Sequence, residues 1–169
     1  MMIPLPRFFQ AVLASLLLGT ATLAMAQTAT VARIEGRSLD GKPFDLATQR
    51  GKVVMVVFWS TACAVCRDTL PELRANYAGW RGKPFELVVV ATDPLRQDVV
   101  DYEKLLERIV PMTSRFPSLW RADPGHRDGF GVVGQLPASF VLDREGRVVE
   151  RFNGRIPAEA WDRVAELLP

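Results

Sequence analysis

The stretch Val53–Arg67, VVMVVFWSTACAVCR, constrains this chain more than any other. The run from Val53 to Trp59 is apolar and mostly β-branched, and reads as a strand buried on both faces. The only two cysteines of the 169 residues, Cys63 and Cys66, follow it closely. Leu70, Leu73 and Tyr77 then recur at helical spacing, so strand gives way to helix at the cysteines. Cys63 is thereby expected at a helix N-terminus. Unpaired backbone N–H groups and the positive end of the helix dipole favour a thiolate there. Thiols so placed have pKa values lowered from about 8.5 towards ~3.5–7.5.

Residues 1–26 read as a signal peptide. Arg7 is their only charged side chain, Phe8 to Leu18 is apolar apart from Gln10 and Ser15, and Ala24-Met25-Ala26 fits a small-x-small cleavage site. The alternative, an uncleaved membrane anchor, meets an apolar core shorter than the ~20 residues of a span. Residues 27–169 are then expected as one domain with a sizeable core, exported to the periplasm of a bacterial envelope. Outside the cytosol, paired thiols oxidise readily. A bridge between Cys63 and Cys66 closes too small a loop to staple a fold, so a purely structural disulfide explains this pair poorly. With 21 basic against 19 acidic side chains, nothing predicts an electrostatic grip on nucleic acid. Membrane contact is expected only if the signal segment stays attached.

Gln27 to Val31 is expected to fray. Arg33 to Leu46 reads as a β-hairpin around the Asp40-Gly41 turn. Helix one runs from about Cys63 to Ala78, with Pro71 expected to kink it. Phe85 to Ala91 is a second continuous apolar strand, making a parallel βαβ unit with the first. Asp98 to Val110 reads as a helix burying Val99, Tyr102, Leu105, Leu106 and Ile109. Pro111, Pro117 and Pro124 argue for irregular chain from Pro111 to Arg127, and Asp128 to Gly134 suits a short helix or a loop. Ala138 to Asp143 and Arg147 to Phe152 form an antiparallel hairpin. Pro157 opens a last helix whose buried face holds Trp161, Val164 and Leu168, with Leu167 beside them.

This order, with Cys-x-x-Cys at the first strand–helix junction, resembles the thioredoxin fold. Asp40-Gly41-Lys42, Leu46, Gly51-Lys52-Val53-Val54, Phe58-Trp59, Cys63-x-x-Cys66-Arg67, Pro71, Leu136-Pro137 and Phe140-x-x-Asp143-x-x-Gly146 resemble the exported TlpA/ResA/CcmG-type thiol–disulfide oxidoreductases. The resemblance implies an α/β, thioredoxin-like fold with an N-terminal β-hairpin extension and a mid-fold strand–helix insertion, supplied by Phe85 to Val110. It implies a cis proline at Pro137, where an X–Pro bond has lost most of its trans preference. Cys63 is the implied nucleophile and Cys66 the resolving thiol, with substrate contacts at Pro137, Leu136 and Trp59. No cofactor and no metal are implied. The implied partners are protein thiols and disulfides and, for a reductase, a membrane electron donor, with cytochrome c biogenesis as one setting. Departures from the pattern are Ala62 for a tryptophan, Thr69 for an acid, Val57 for the buried acid of thioredoxins proper, Ala64-Val65 without a proline, and Ala138-Ser139 for two threonines.

Other chemistries fit less well. Two cysteines and His126 do not fill a tetrahedral zinc site, and His126, in a Pro/Gly-rich loop, reads as a solvated surface histidine. A Cu(I)-binding, metallochaperone-like protein is the main alternative, since a soft ion accepts two thiolates. Peroxidase chemistry of the peroxiredoxin kind needs a proline ahead of its cysteine, and none lies in the ten residues before Cys63. Partner binding alone leaves the cysteine pair unexplained. Asp68 and Glu72 read as exposed acids compatible with the helix dipole, and Trp80 and Trp120 as core or partly covered surface.

Overall fold

The computed structural model describes residues 31–111 and 114–169, so the segment read as a signal peptide lies outside the described residues. Its strands are β1 (Ile34–Arg37), β2 (Pro43–Asp45), β3 (Val53–Trp59), β4 (Phe85–Ala91), β5 (Ser118–Trp120), β6 (Arg127–Asp128), β7 (Ala138–Leu142) and β8 (Val148–Asn153). Its helices are α1 (Ala64–Gly79), α2 (Arg96–Glu107) and α3 (Ala158–Leu167).

The main sheet has the order β5-β4-β3-β7-β8, and a small sheet has the order β2-β1-β6. β3 pairs in parallel with β4, and β4 with β5. The crossovers β3–α1–β4 and β4–α2–β5 step in the same direction along the sheet. Right-handed connections therefore bring α1 and α2 to one face, where α3 joins them. Strand periodicity divides the core accordingly. Val53, Met55, Val57 and Trp59 of β3 pack with Cys66, Leu70 and Leu73 of α1, Val99 of α2 and Trp161 and Val164 of α3. Val54, Val56 and Phe58 face the opposite side, towards Ile34, Phe44 and Leu46 of the N-terminal segment. β3 is 2% exposed or less at every position, which is why it shows no polar alternation.

The expected hairpin is β1–β2, antiparallel from Glu35 opposite Asp45 to Arg37 opposite Pro43. Gly41 takes φ +84°, the left-handed conformation the Asp-Gly signal foretells. Of the stretch expected to fray, only Val31 is described, and it bridges to Arg147. Pro71 lies inside α1 and leaves the helix continuous. Trp80 packs edge-on against Phe85 and Trp161.

Three expectations need correction. Leu105 and Ile109 are 65% and 76% exposed, because Leu105 points away from the buried Val99 and the helix ends at Glu107. The proline-rich segment holds β5 at the sheet edge and β6 against β1. Past Asp128, residues 129–134 form a loop, one of the two forms expected there. Glu72 is no idle surface acid, since it accepts a hydrogen bond from Trp161 Nε1 at 2.7 Å, tying α1 to α3.

Gly36 in β1 marks a close approach of the small sheet to His126. A Cβ there would lie 3.3 Å from His126 Nδ1 and 3.5 Å from His126 Cα. Gly36→Ala is expected to cost roughly 1 kcal/mol through overpacking. Urea unfolding checks this, and an unchanged or raised midpoint would contradict the packing argument.

Candidate active site

β3 and β4 run parallel and end together at Trp59 and Ala91. β7 runs antiparallel to β3 and starts at the same end, with Ala138 opposite Phe58. The sheet register thus gathers the turn after Trp59, the segment after Ala91 and the Leu136-Pro137 peptide. The carboxyl ends of parallel strands are where open α/β sheets present ligand sites.

β3 passes into α1 through Ser60-Thr61-Ala62. Cys63 is the N-cap of α1, and its Sγ accepts a hydrogen bond from Cys66 N at 3.1 Å. Cys63 and Cys66 are joined as a disulfide, with their Cα atoms 5.2 Å apart. Their environments differ as expected. Cys63 is half-buried, between exposed Ala62 and Ala64, whereas Cys66 is only 1% exposed. One cysteine keeps part of its surface open to solvent and the other is lodged in the core one helical turn on.

The Leu136–Pro137 bond is cis. The Pro137 carbonyl accepts from Gly154 N at 2.7 Å. Among the described residues no main-chain hydrogen bond engages Leu136, which is half-buried, whereas Pro137 is buried. Trp59 is corrected as a surface contact. It is 0% exposed and packs against Tyr102 of α2 at 5.3 Å between ring centroids. The odd register of β3 that points Val57 at the helices points Trp59 there too, so it backs the pair from inside. Burial also raises the Tyr102 phenol above its ordinary pKa.

Three of the positions that depart from the family pattern, Val57, Thr69 and Ala62, hold no acid. Val57 is core, Thr69 is buried with its hydroxyl donating to Val65 O at 2.8 Å, and Ala62 is exposed. A different carboxylate stands close by. Asp93, just past β4, is 2% exposed and accepts from Thr61 N at 3.0 Å and from both the Ser60 and Thr61 hydroxyls. In the sequence, Thr92-Asp93-Pro94 marks only a strand end, and its partners are more than thirty positions away. No local signal reveals it.

His126 needs the same correction as Trp59. It is 7% exposed, not solvated, because β1 crosses it at Gly36. Its Nε2 lies 3.0 Å from Asp128 Oδ2, and Arg121 grips the same carboxylate at 2.7 and 2.8 Å. Burial alone would raise the Asp128 pKa. Hydrogen bonds from His126, Arg121 and the Phe130 N–H outweigh it and hold the carboxyl well below the usual range. Arg121 also lies over the Phe58 ring at 4.8 Å and donates to Gly131 O at 2.7 Å. The network thereby anchors the loop that leads to Pro137. Among the described residues, no three His, Cys, Asp or Glu side chains group as a metal site. None of the helices there is long and apolar enough to cross a membrane. A concavity of about 670 Å³ between the hairpin and α2 is not lined by either cysteine.

A mixed five-stranded sheet with helices, carrying two cysteines at the junction of its central strand and first helix, defines a thioredoxin-like protein. The sequence model of the AhpC/TSA family matches residues 26–151, and the chain belongs to that family. It is 30% identical over 117 residues to a thiol-disulfide oxidoreductase ResA of Bacillus cereus, covering 69% of this chain and 63% of that protein. For ResA of Bacillus subtilis the identity is 27% over 115 residues, with 68% and 60% covered. The chain thus spans somewhat less than two thirds of these curated relatives. Among solved structures, a thiol:disulfide interchange protein of Chlorobium tepidum TLS superposes with a TM-score of 0.63 at 25% identity, covering 80% of this chain and 92% of that one. StoA from Bacillus subtilis gives 0.63 at 20% identity, covering 81% and 98%, a likeness of fold.

Proposed function

We propose that this chain is an exported thiol–disulfide oxidoreductase acting as a disulfide reductase. The observation that carries the reading is the asymmetric pair, with Cys63 at the surface as helix cap and Cys66 buried one turn behind it. The Cys63 thiolate attacks one sulfur of a client disulfide. The client S–S bond breaks, its other sulfur leaves as a thiolate, and a mixed disulfide forms. The Cys66 thiolate then attacks Cys63 Sγ and releases the second client thiolate. The client gains two electrons and the pair becomes a disulfide. Leu136, with its main chain unengaged, offers pairing to an extended client segment, and the buried Pro137 fixes the turn that presents it.

Residues 1–26 serve as the export signal and 27–169 as the working domain in the periplasm. An oxidising compartment requires a membrane electron donor to restore the dithiol, and cytochrome c biogenesis is a fitting setting. The names of the ResA relatives support the class of reaction. Two cysteines at exchange spacing, with no proline just ahead of the first, favour exchange over peroxide chemistry.

Equilibration of the chain with glutathione or dithiothreitol buffers tests this. The pair is expected to exchange, with a potential nearer the ~−270 mV of thioredoxin than the ~−120 mV of a strong oxidant. A value at the oxidising end would reverse the direction, and failure to exchange would remove the function.

A further inference from the structure

The turn that carries Cys63 hangs on one buried carboxylate. Asp93 Oδ1 accepts from Thr61 N at 3.0 Å, from Ser60 Oγ at 3.2 Å and from Thr61 Oγ1, and Oδ2 shares the Thr61 N–H at 3.2 Å. The Ser60 carbonyl in turn accepts from Cys63 N at 3.1 Å, and the Ser60 hydroxyl from Ala62 N at 3.2 Å. Ser60 therefore connects the carboxylate to the Cys63 backbone. The Asp93 carbonyl accepts from Trp120 Nε1 at 2.8 Å, which fixes the acid from its other side. All the donors to the carboxylate are neutral. No ion pair involves Asp93 among the described residues.

The charged groups around this turn are few. From α1, the Arg67 guanidinium donates to Thr61 O. Asp68 lies 4.0 Å from Arg155, both well exposed. From α2, Tyr102 packs on Trp59, and Arg96 reaches Leu39 O at 3.4 Å. A buried charge held by neutral donors is weakly screened, so its field extends to neighbouring groups. Arg67 and the α1 dipole favour a thiolate at Cys63, and the Asp93 charge opposes one.

We propose that Asp93 is a positioning residue that sets the charge balance of the Cys63–Cys66 pair. Its hydrogen bonds fix the Ser60–Cys63 turn, and its negative charge disfavours the Cys63 thiolate. Disfavouring the thiolate destabilises the dithiol form and leaves the pair a stronger electron donor. Asp93 thus supplies the buried acid absent at Val57 and Thr69, from the segment just past β4. The inference rests on the exchange reading, and its test separates the two.

Asp93→Asn keeps the size of the side chain and removes its charge. Thr61→Val keeps the charge and removes one of its donors. Each protein is reduced with a phosphine, and Cys63 alkylation by iodoacetamide is followed by mass across pH, a readout that needs no exchange partner. At neutral pH, Asp93→Asn is expected to react about tenfold faster than wild type, and Thr61→Val more slowly than wild type. A merely structural contact would move both variants in the same direction. In glutathione buffers, the Asp93→Asn equilibrium is expected to shift about tenfold towards the dithiol, which corresponds to about 30 mV for this two-electron couple.

Alkylation profiles that superimpose, or shift together, would overturn the role of Asp93 even if exchange is brisk. Opposite shifts in a chain that does not exchange would uphold Asp93 and overturn the exchange reading. If Asp93→Asn lacks the wild-type far-UV spectrum, Thr61→Val decides alone. Slower alkylation then supports the proposal, and equal or faster alkylation refutes it.

Discussion

On the exchange mechanism proposed above, Cys66→Ser is expected to convert the chain from a turnover catalyst into a trap. Cys63 remains at the surface as the cap of α1 and still attacks a client disulfide, but the buried thiol that releases the client is gone. The effect should be large because resolution is intramolecular. Well-oriented groups reach effective molarities of ~10⁵ M or more. Even about 1 M at this pair would outpace millimolar external thiol by roughly 10³-fold. Turnover of a model disulfide should fall by that order, while a mixed disulfide accumulates and survives non-reducing electrophoresis. Cys63→Ser should lose turnover as completely and trap nothing, since the remaining thiol is 1% exposed. Equal trapping by both variants would show that the two sulfurs are equally accessible and would sink the assignment of roles.

Asp128→Ala is expected to produce the largest loss of stability. Asp128 is the shared acceptor for Arg121, His126 and the Phe130 N–H, and its side chain and that of His126 are 5% and 3% exposed. Removing it strands a partly buried guanidinium and a buried ring. Breaking such a network costs on the order of 3 kcal/mol. For a domain of this size that lowers Tm by roughly 10 °C. The pH dependence has a definite sign. The folded-state pKa of Asp128 is depressed, so its contribution is complete above the ordinary carboxylate value near 4 and is lost as pH falls below it. The gap in Tm between wild type and variant should therefore be full at neutral pH and narrow on acidification below about pH 4. A gap that stayed constant or widened in acid would show that the carboxylate charge is not what stabilises the network.

The parts of the fold legible in the sequence are those whose cause is local. β3 throughout and β4 from Leu87 onward are apolar without interruption because both faces are covered. The cysteine pair is visible because it sits where one periodicity gives way to another. β5 was not legible. It is three residues long, only Leu119 of it is buried, and it exists because β4 offers an unpaired edge. β6 is two residues held by β1 from across the molecule. His126 misleads for the same reason, since its loop is polar in composition and its burial comes from Gly36 ninety positions earlier. Trp59 belongs to the inward register of β3, and register cannot be read from a run with no polar alternation. Asp93 lies beyond local reasoning altogether, because a buried acid is recognised by its partners and not by its neighbours.

The small sheet also has a kinetic consequence. β1 pairs with β2 within a single hairpin, but its other partner, β6, brings Asp128 opposite Ile34. That contact closes a loop spanning most of the domain, whereas β3, α1 and β4 form a unit of near neighbours in sequence. Long closures are entropically costly before their contacts reward them, so the order of assembly is set by span. By span alone, the unit that carries the cysteines is expected to assemble first and the N-terminal sheet to close over the far face last. The thiols are then expected to acquire their local setting before the domain is complete.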